Sequence, residues 1–245
     1  MDKSAPEAEP RWHEHFPPHT PSEGRRDTSG FGEAAEALAS AGAGTGGSLA
    51  EVQVQRLIKW AKSAKCLIAE SEFEALPLVS DETGEHEVRF RDSDHRVLKR
   101  TWTGTFGMVP CWQDGCWKPA SATPLDYLRR FAMHNHIFDD DVILEGVIVS
   151  DKVSQLPGIV PGGASIVISQ RWLIADDPER PHPTEQEIAT LMNELGFEHI
   201  PGSFFGWFNE VKALLVLDAK PDNFVKTADG ILPFDLLMLS LRDEG

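Results

Sequence analysis

The stretch Leu217-Asp218-Ala219-Lys220-Pro221-Asp222-Asn223-Phe224, followed by Leu232-Pro233-Phe234-Asp235-Leu236, decides how this chain is read. A strand pattern after Gly206, ending in the apolar run Ala213-Leu214-Leu215-Val216-Leu217, leads into the octapeptide. Thr227-Ala228-Asp229-Gly230 then makes a tight turn, and residues 231–234 return to Asp235. A hairpin of this kind puts Asp218, Asn223 and Asp235 at one mouth. Their oxygens suit a magnesium ion held by Asn223 and Asp235, with the Asp218 carboxylate facing an acceptor group. A plain surface turn also uses Asp, Pro and Asn, but it does not require the later aspartate.

Composition narrows what such a site serves. The chain has 245 residues, of which 41% are apolar, enough for a buried core in one large or two small domains. Its formal net charge of -16 argues against a nucleic-acid groove or an anionic membrane surface, both of which call for clustered Lys and Arg. An anionic ligand therefore needs a local positive field from a lysine, backbone N–H groups or a bound cation. No apolar run is long enough to cross a bilayer, and the acidic, Pro-rich N-terminus lacks the apolar centre of a signal peptide. With three cysteines, an odd number, the expectation is a soluble cytoplasmic protein in a reducing compartment.

Residues 1–47 read as a disordered tail, rich in Pro and Gly and ending Ala41-Gly42-Ala43-Gly44-Thr45-Gly46-Gly47. The segment around Trp12 to Phe16 is a candidate recognition element within it. Order is expected from Ser48, where Ser48 and Glu51 have capping-box spacing ahead of a helix at 49–64. Residues 85–90 and 96–101 form a strand pair, with Lys99 near the end of the second strand. Between helix and hairpin, Asp81-Glu82-Thr83-Gly84-Glu85-His86 keeps one glycine. Gly84 would let the backbone approach a phosphate, with His86 as a donor, or else it is a hairpin entry turn. Cys111 and Cys116 have four residues between them and no second ligand pair in a loop, so they read as part of an insertion that packs its tryptophans, not as a zinc site. Thr123 and Pro124 open a second helix, strands follow at 142–149 and 164–169 beyond the loop 156–163, and Thr184 with Glu187 opens a third helix that Gly196 ends.

Taken in order, these segments resemble the kinase-like domain of polyvalent proteins of phages and conjugative elements, a reduced member of the Ser/Thr/Tyr protein-kinase-like group. The resembling residues are Gly84 to Val88, Val97-Leu98-Lys99, Tyr127-Leu128-Arg129-Arg130 with His134-Asn135, Pro183-Thr184, Leu195-Gly196-Phe197, Asp218 to Phe224 with its Lys220-Pro221 pair, and Pro233-Phe234-Asp235. The resemblance implies an α+β, two-lobed fold, with a helix and N-lobe at 48–168 and a truncated C-terminal lobe at 169–245. It implies ATP and Mg as cofactors, but it does not identify the acceptor, protein or small molecule. Asp218 and Lys220 would be catalytic, Asn223 and Asp235 would hold metal, and Lys99, Gly84 and His86 would meet the phosphates. Ser169-Gln170-Arg171-Trp172-Leu173 would be the connector, Gln170 lying against the base. The chain departs from the pattern in several places. Val216-Leu217 stand where His-Arg is usual, and no glycine follows Asp235. The second helix has no glutamate for Lys99, leaving Asp126, His134, Asn135 or another segment as its partner. Both an ATP-dependent phosphotransferase and a nucleotide-binding module without transfer activity fit this reading.

Overall fold

The computed structural model describes residues 30–39, 48–80, 84–150 and 163–242. Its helices are α1 (Phe31–Ala39), α2 (Leu49–Ala64), α3 (Glu70–Glu74), α4 (Pro124–Phe138) and α5 (Glu185–Glu194). Three of them begin at reciprocal capping boxes, in which a Ser or Thr oxygen and an acidic side chain satisfy two otherwise orphaned N–H groups. Ser48 and Glu51 cap α2, Thr123 and Asp126 cap α4, and Thr184 and Glu187 cap α5. This use of Asp126 removes it as a partner for Lys99.

The first helix corrects the reading of residues 1–47 as tail. Phe31, Ala34 and Leu38 of α1 are completely buried, and Phe31 stacks on Phe131 of α4 with ring centroids 6.1 Å apart. The spacing of those three residues is a helical stripe, short but continuous, within Phe31-Gly32-Glu33-Ala34-Ala35-Glu36-Ala37-Leu38. Averaging over the Gly-rich flank hides it. The Trp12 to Phe16 segment lies outside the described residues, as do residues 81–83 and most of the 156–163 loop.

The strands form antiparallel sheets. β1 (Leu78–Ser80), β2 (His86–Arg91), β3 (Arg96–Thr101), β6 (Ile143–Val149) and β7 (Ala164–Arg171) make a five-stranded sheet in the order β1-β2-β3-β7-β6. Between β3 and β6 in sequence, β4 (Met108–Gln113) and β5 (Cys116–Ser121) form a separate hairpin closed by Asp114 and Gly115, both at positive φ. That is the backbone an Asp-Gly hairpin turn demands. It places Cys111 opposite Lys118 and Cys116 opposite Gln113, and both thiols are free. A second sheet runs β13-β10-β9-β8, from β8 (Glu198–His199), β9 (Trp207–Asn209), β10 (Leu214–Leu217) and β13 (Leu237–Ser240). β11 (Phe224–Thr227) and β12 (Gly230–Pro233) pair as the hairpin expected after the octapeptide.

Two large apolar clusters follow from this arrangement. In one, α1, α2 and α4 cover one face of β6 and β7, through Leu57, Tyr127, Phe131, Val147, Ile166 and Ile168. In the other, Ile188 and Met192 of α5 pack with Trp207, Val216, Phe224 and Met238. β7 is buried on both faces, so its residues alternate between the helical core (Ala164, Ile166, Ile168) and a smaller cluster at Val167 with Phe73 and Leu98. The same alternation turns Gln170 toward α4. Lys99 pairs with Ile168 and Val88, which sets its side chain on that same face. No helix among the described residues is long and apolar enough to cross a membrane.

Candidate functional site

Between α4 and the central sheet, the apolar layer gives way to a buried polar centre. Lys99, on β3, donates from Nζ to the Gln170 side-chain oxygen at 3.0 Å and to the Phe234 carbonyl at 2.8 Å. The second contact brings Lys99 to the residue next to Asp235. The sequence left the partner of Lys99 open; it is held by another segment, not by Asn135, whose amide bridges the Val142 backbone. Gln170 also corrects the connector reading. It is a paired residue of β7, opposite Val97, and its side-chain nitrogen donates to Asp140 at 2.5 Å.

Asp235 does not turn toward the Asp218 loop. Its Oδ1 accepts from Arg130 of α4 at 2.6 Å, and the same guanidinium donates to Glu85 at 2.6 Å and to the Leu236 carbonyl at 2.6 Å. Arg130 is 1% exposed, while the Asp235 side chain is 37% exposed. His86, expected to face a phosphate, is buried, with its Nε2 2.8 Å from the Tyr127 hydroxyl. Gly84, at positive φ, accepts at its carbonyl from the Trp102 indole at 3.2 Å, in the turn that enters β2. Among the described residues neither ring nitrogen of buried His134 has a hydrogen-bond partner, and the Asp140 carboxylate lies 3.5 Å from Nδ1.

Burial dominates the electrostatics here. It lowers His86 and His134 to about 3, so both rings are neutral at ordinary pH. It also lowers Lys99, against the opposing pull of Asp235, and raises Glu85 against that of Arg130. For Asp235 burial acts upward, but Arg130 and then Lys99 outweigh it and hold the carboxyl below its usual range. With the histidines neutral, the cationic groups of the centre are Lys99 and Arg130, and they face the carboxyls of Glu85, Asp235 and Asp140.

The octapeptide makes a second, separate group. Asp218 sits at a φ of 59°, a left-handed conformation that Asp tolerates better than most residues. The Asn223 side-chain nitrogen holds it there, donating to the Asp218 carbonyl at 2.7 Å and to its carboxylate at 2.8 Å. Lys220 Nζ lies 3.3 Å from the other carboxylate oxygen, and the Asp218 side chain is 40% exposed. The two groups touch through backbone, since Phe234 N–H donates to the Asn223 carbonyl at 3.0 Å. The two side chains keep different partners, Asn223 donating from Nδ2 to Asp218 and Asp235 accepting at Oδ1 from Arg130, and neither contact uses the oxygens that would hold the expected magnesium ion, Asn223 Oδ1 and Asp235 Oδ2.

Arg130, Glu85 and Tyr127 belong to the centre and were not selected from sequence as site residues. The phase of α4, set by the Thr123 cap, carries the missing signal. Tyr127, Arg130, Phe131 and His134 fall at i, i+3, i+4 and i+7 on the buried face. Just past β7, Trp172, Leu173, Ile174, Thr227 and Leu232 help line a cavity of 370 Å³, together with Arg171, Asp176 and Asp229. A scan against protein-family models and searches of curated proteins and solved structures find no match for this chain.

Proposed function

We propose that this protein is a nucleotide-binding module of reduced protein-kinase-like architecture, acting by interaction and without phosphate transfer. The observation that carries the reading is the 2.8 Å contact from Lys99 to the Phe234 carbonyl, which joins β3 to the segment bearing Asp235 across most of the described chain. A strand lysine and a post-hairpin aspartate meeting in this way is the relation that the resemblance to the kinase-like domain of polyvalent proteins implies. The cavity just past β7 supplies apolar surface for a base. Against transfer stands the engagement of Asp235 Oδ1 by Arg130. Adenine nucleotides should raise the melting temperature by mass action, by about 2.7 kcal/mol of stability at a hundredfold excess over Kd. Absence of any shift at millimolar nucleotide, with the protein folded, would sink the proposal.

One observation favours a second reading, an ATP-dependent phosphotransferase. The Asp218 carboxylate is partly exposed, held in place by Asn223 and next to Lys220, as a group that orients an acceptor hydroxyl must be. Transfer of labelled γ-phosphate to the protein itself, to a protein in lysate or to a small-molecule acceptor, abolished by Asp218→Asn, would establish it.

A further inference from the structure

Where β4, α4 and β13 meet there is a second cavity, of 190 Å³, lined in part by Val109, Asp126, Arg129, Met133, Met238 and Ser240. Its α4 residues, at i, i+3 and i+7, lie one stripe round the helix from Tyr127, Arg130 and His134. Arg89, Arg91, Arg96, Arg100 and Arg130 each hold a carboxylate. Arg129 is partly buried and, among the described residues, its guanidinium has no hydrogen-bond or ion-pair partner. Asp126 is spaced to pair with it on the helix surface. Instead its Oδ2 caps α4, accepting from the Thr123 N–H and hydroxyl at 2.8 Å each, while Oδ1 makes no hydrogen bond among the described residues. One helix thus presents a carboxylate oxygen and a guanidinium to the same cavity, and the two do not close on each other.

A ligand of one sign suits only half of this arrangement, since an anion that gains Arg129 meets Asp126 and a cation the reverse. A zwitterion satisfies both, and Val109, Met133 and Met238 offer apolar wall beside the charges. We infer that this cavity binds a free α-amino acid with a small aliphatic side chain, its carboxylate on Arg129 and its ammonium on Asp126 Oδ1. The Ser240 hydroxyl, which accepts from the Arg242 N–H at 3.4 Å, keeps its own proton for the carboxylate. The backbone end of a peptide carries one of the two charges, not both, which excludes a chain terminus. A cavity of about 150 Å³ takes benzene, so this one has room for about eight non-hydrogen atoms, the size of valine. The inference does not depend on the nucleotide-binding reading.

Isothermal calorimetry of the full chain tests it with L-alanine, L-valine and L-leucine, and with two analogues of valine. One is 3-methylbutanoate, which lacks the ammonium, and the other valinamide, which lacks the carboxylate. The expected result is saturable binding of valine at millimolar concentration, with both analogues weaker by more than about tenfold and a similar loss in Arg129→Gln. Arg129 pairs with no protein group among the described residues, so this variant should melt within a degree or two of the parent. Should it not fold, Val109→Phe takes its place, with the same loss expected from filling the cavity. No heat with any of the three amino acids overturns the inference. Binding of equal strength in parent and variant does so too, because it puts the ligand elsewhere, and so does either analogue matching valine.

Discussion

Replacing Phe31 by alanine should destabilise the protein strongly, although the residue lies in a segment that composition assigns to a tail. Its side chain is fully buried, stacked on Phe131 and surrounded by the α2 and α4 core. Truncating a buried Phe to Ala removes its transfer free energy and leaves a cavity, together about 3–5 kcal/mol. Against a total stability of about 5–15 kcal/mol this is a large fraction. For a domain of this size each kcal/mol moves the melting temperature by roughly 2–4 °C, so a fall of about 6–20 °C is expected. Thermal melts followed by circular dichroism, with urea titration to check that the unfolding slope is unchanged, measure it. Glu36→Ala on the exposed side of α1 is the control and should stay within about 0.5 kcal/mol. A Phe31→Ala protein melting within a degree or two of the parent would refute the packing of α1 on α4. Deletion of residues 1–47 should cost at least as much as Phe31→Ala, because it also removes Ala34 and Leu38.

Stability should fall on acidification through the histidines. With folded values of about 3 for His86 and His134, the unfolded chain binds more protons below its own value near 6.5, so stability is full above that pH and is lost toward 3. From pH 7 to pH 5 the loss is about 2 kcal/mol per histidine, and His86→Gln should flatten the urea-melt pH profile. Lys99→Met should erase the melting shift given by nucleotide while keeping the circular dichroism spectrum; a retained shift would place the ligand elsewhere. Asp235→Asn should cost about 2–3 kcal/mol in urea melts, since it strips buried Arg130 of one carboxylate at a partly exposed position. Asp218→Asn should cost under about 1 kcal/mol, because an Asn oxygen can still accept from Asn223. Equal losses in these two variants would contradict the separation of the two groups.

The three capped helices and the hairpins 85–101 and 224–233 are legible in the sequence because caps and turns act across three or four residues. Ser48 with Glu51, Thr123 with Pro124 and Asp126, and the turn 227–230 carry their own geometry. Asp218 beside Lys220 and Asn223 is local in the same sense. The convergence of Lys99 on the Asp235 segment was expected only through a resemblance, and no periodicity contains it.

What tertiary structure alone decided is who partners whom across distance. Arg130 and Asp235 are 105 residues apart, and their contact depends on the face of α4 that meets the sheet. Gln170 looks like a connector residue until the pairing of β7 with β3 turns it inward beside Lys99. The stripe of α1 is too short to hold a helix in isolation and is stabilised by α2 and α4, which composition cannot report. In each case the sequence supplied the residue and its local conformation. The chemistry of a buried charge is set by its neighbours in a low-dielectric interior, and those neighbours come from packing.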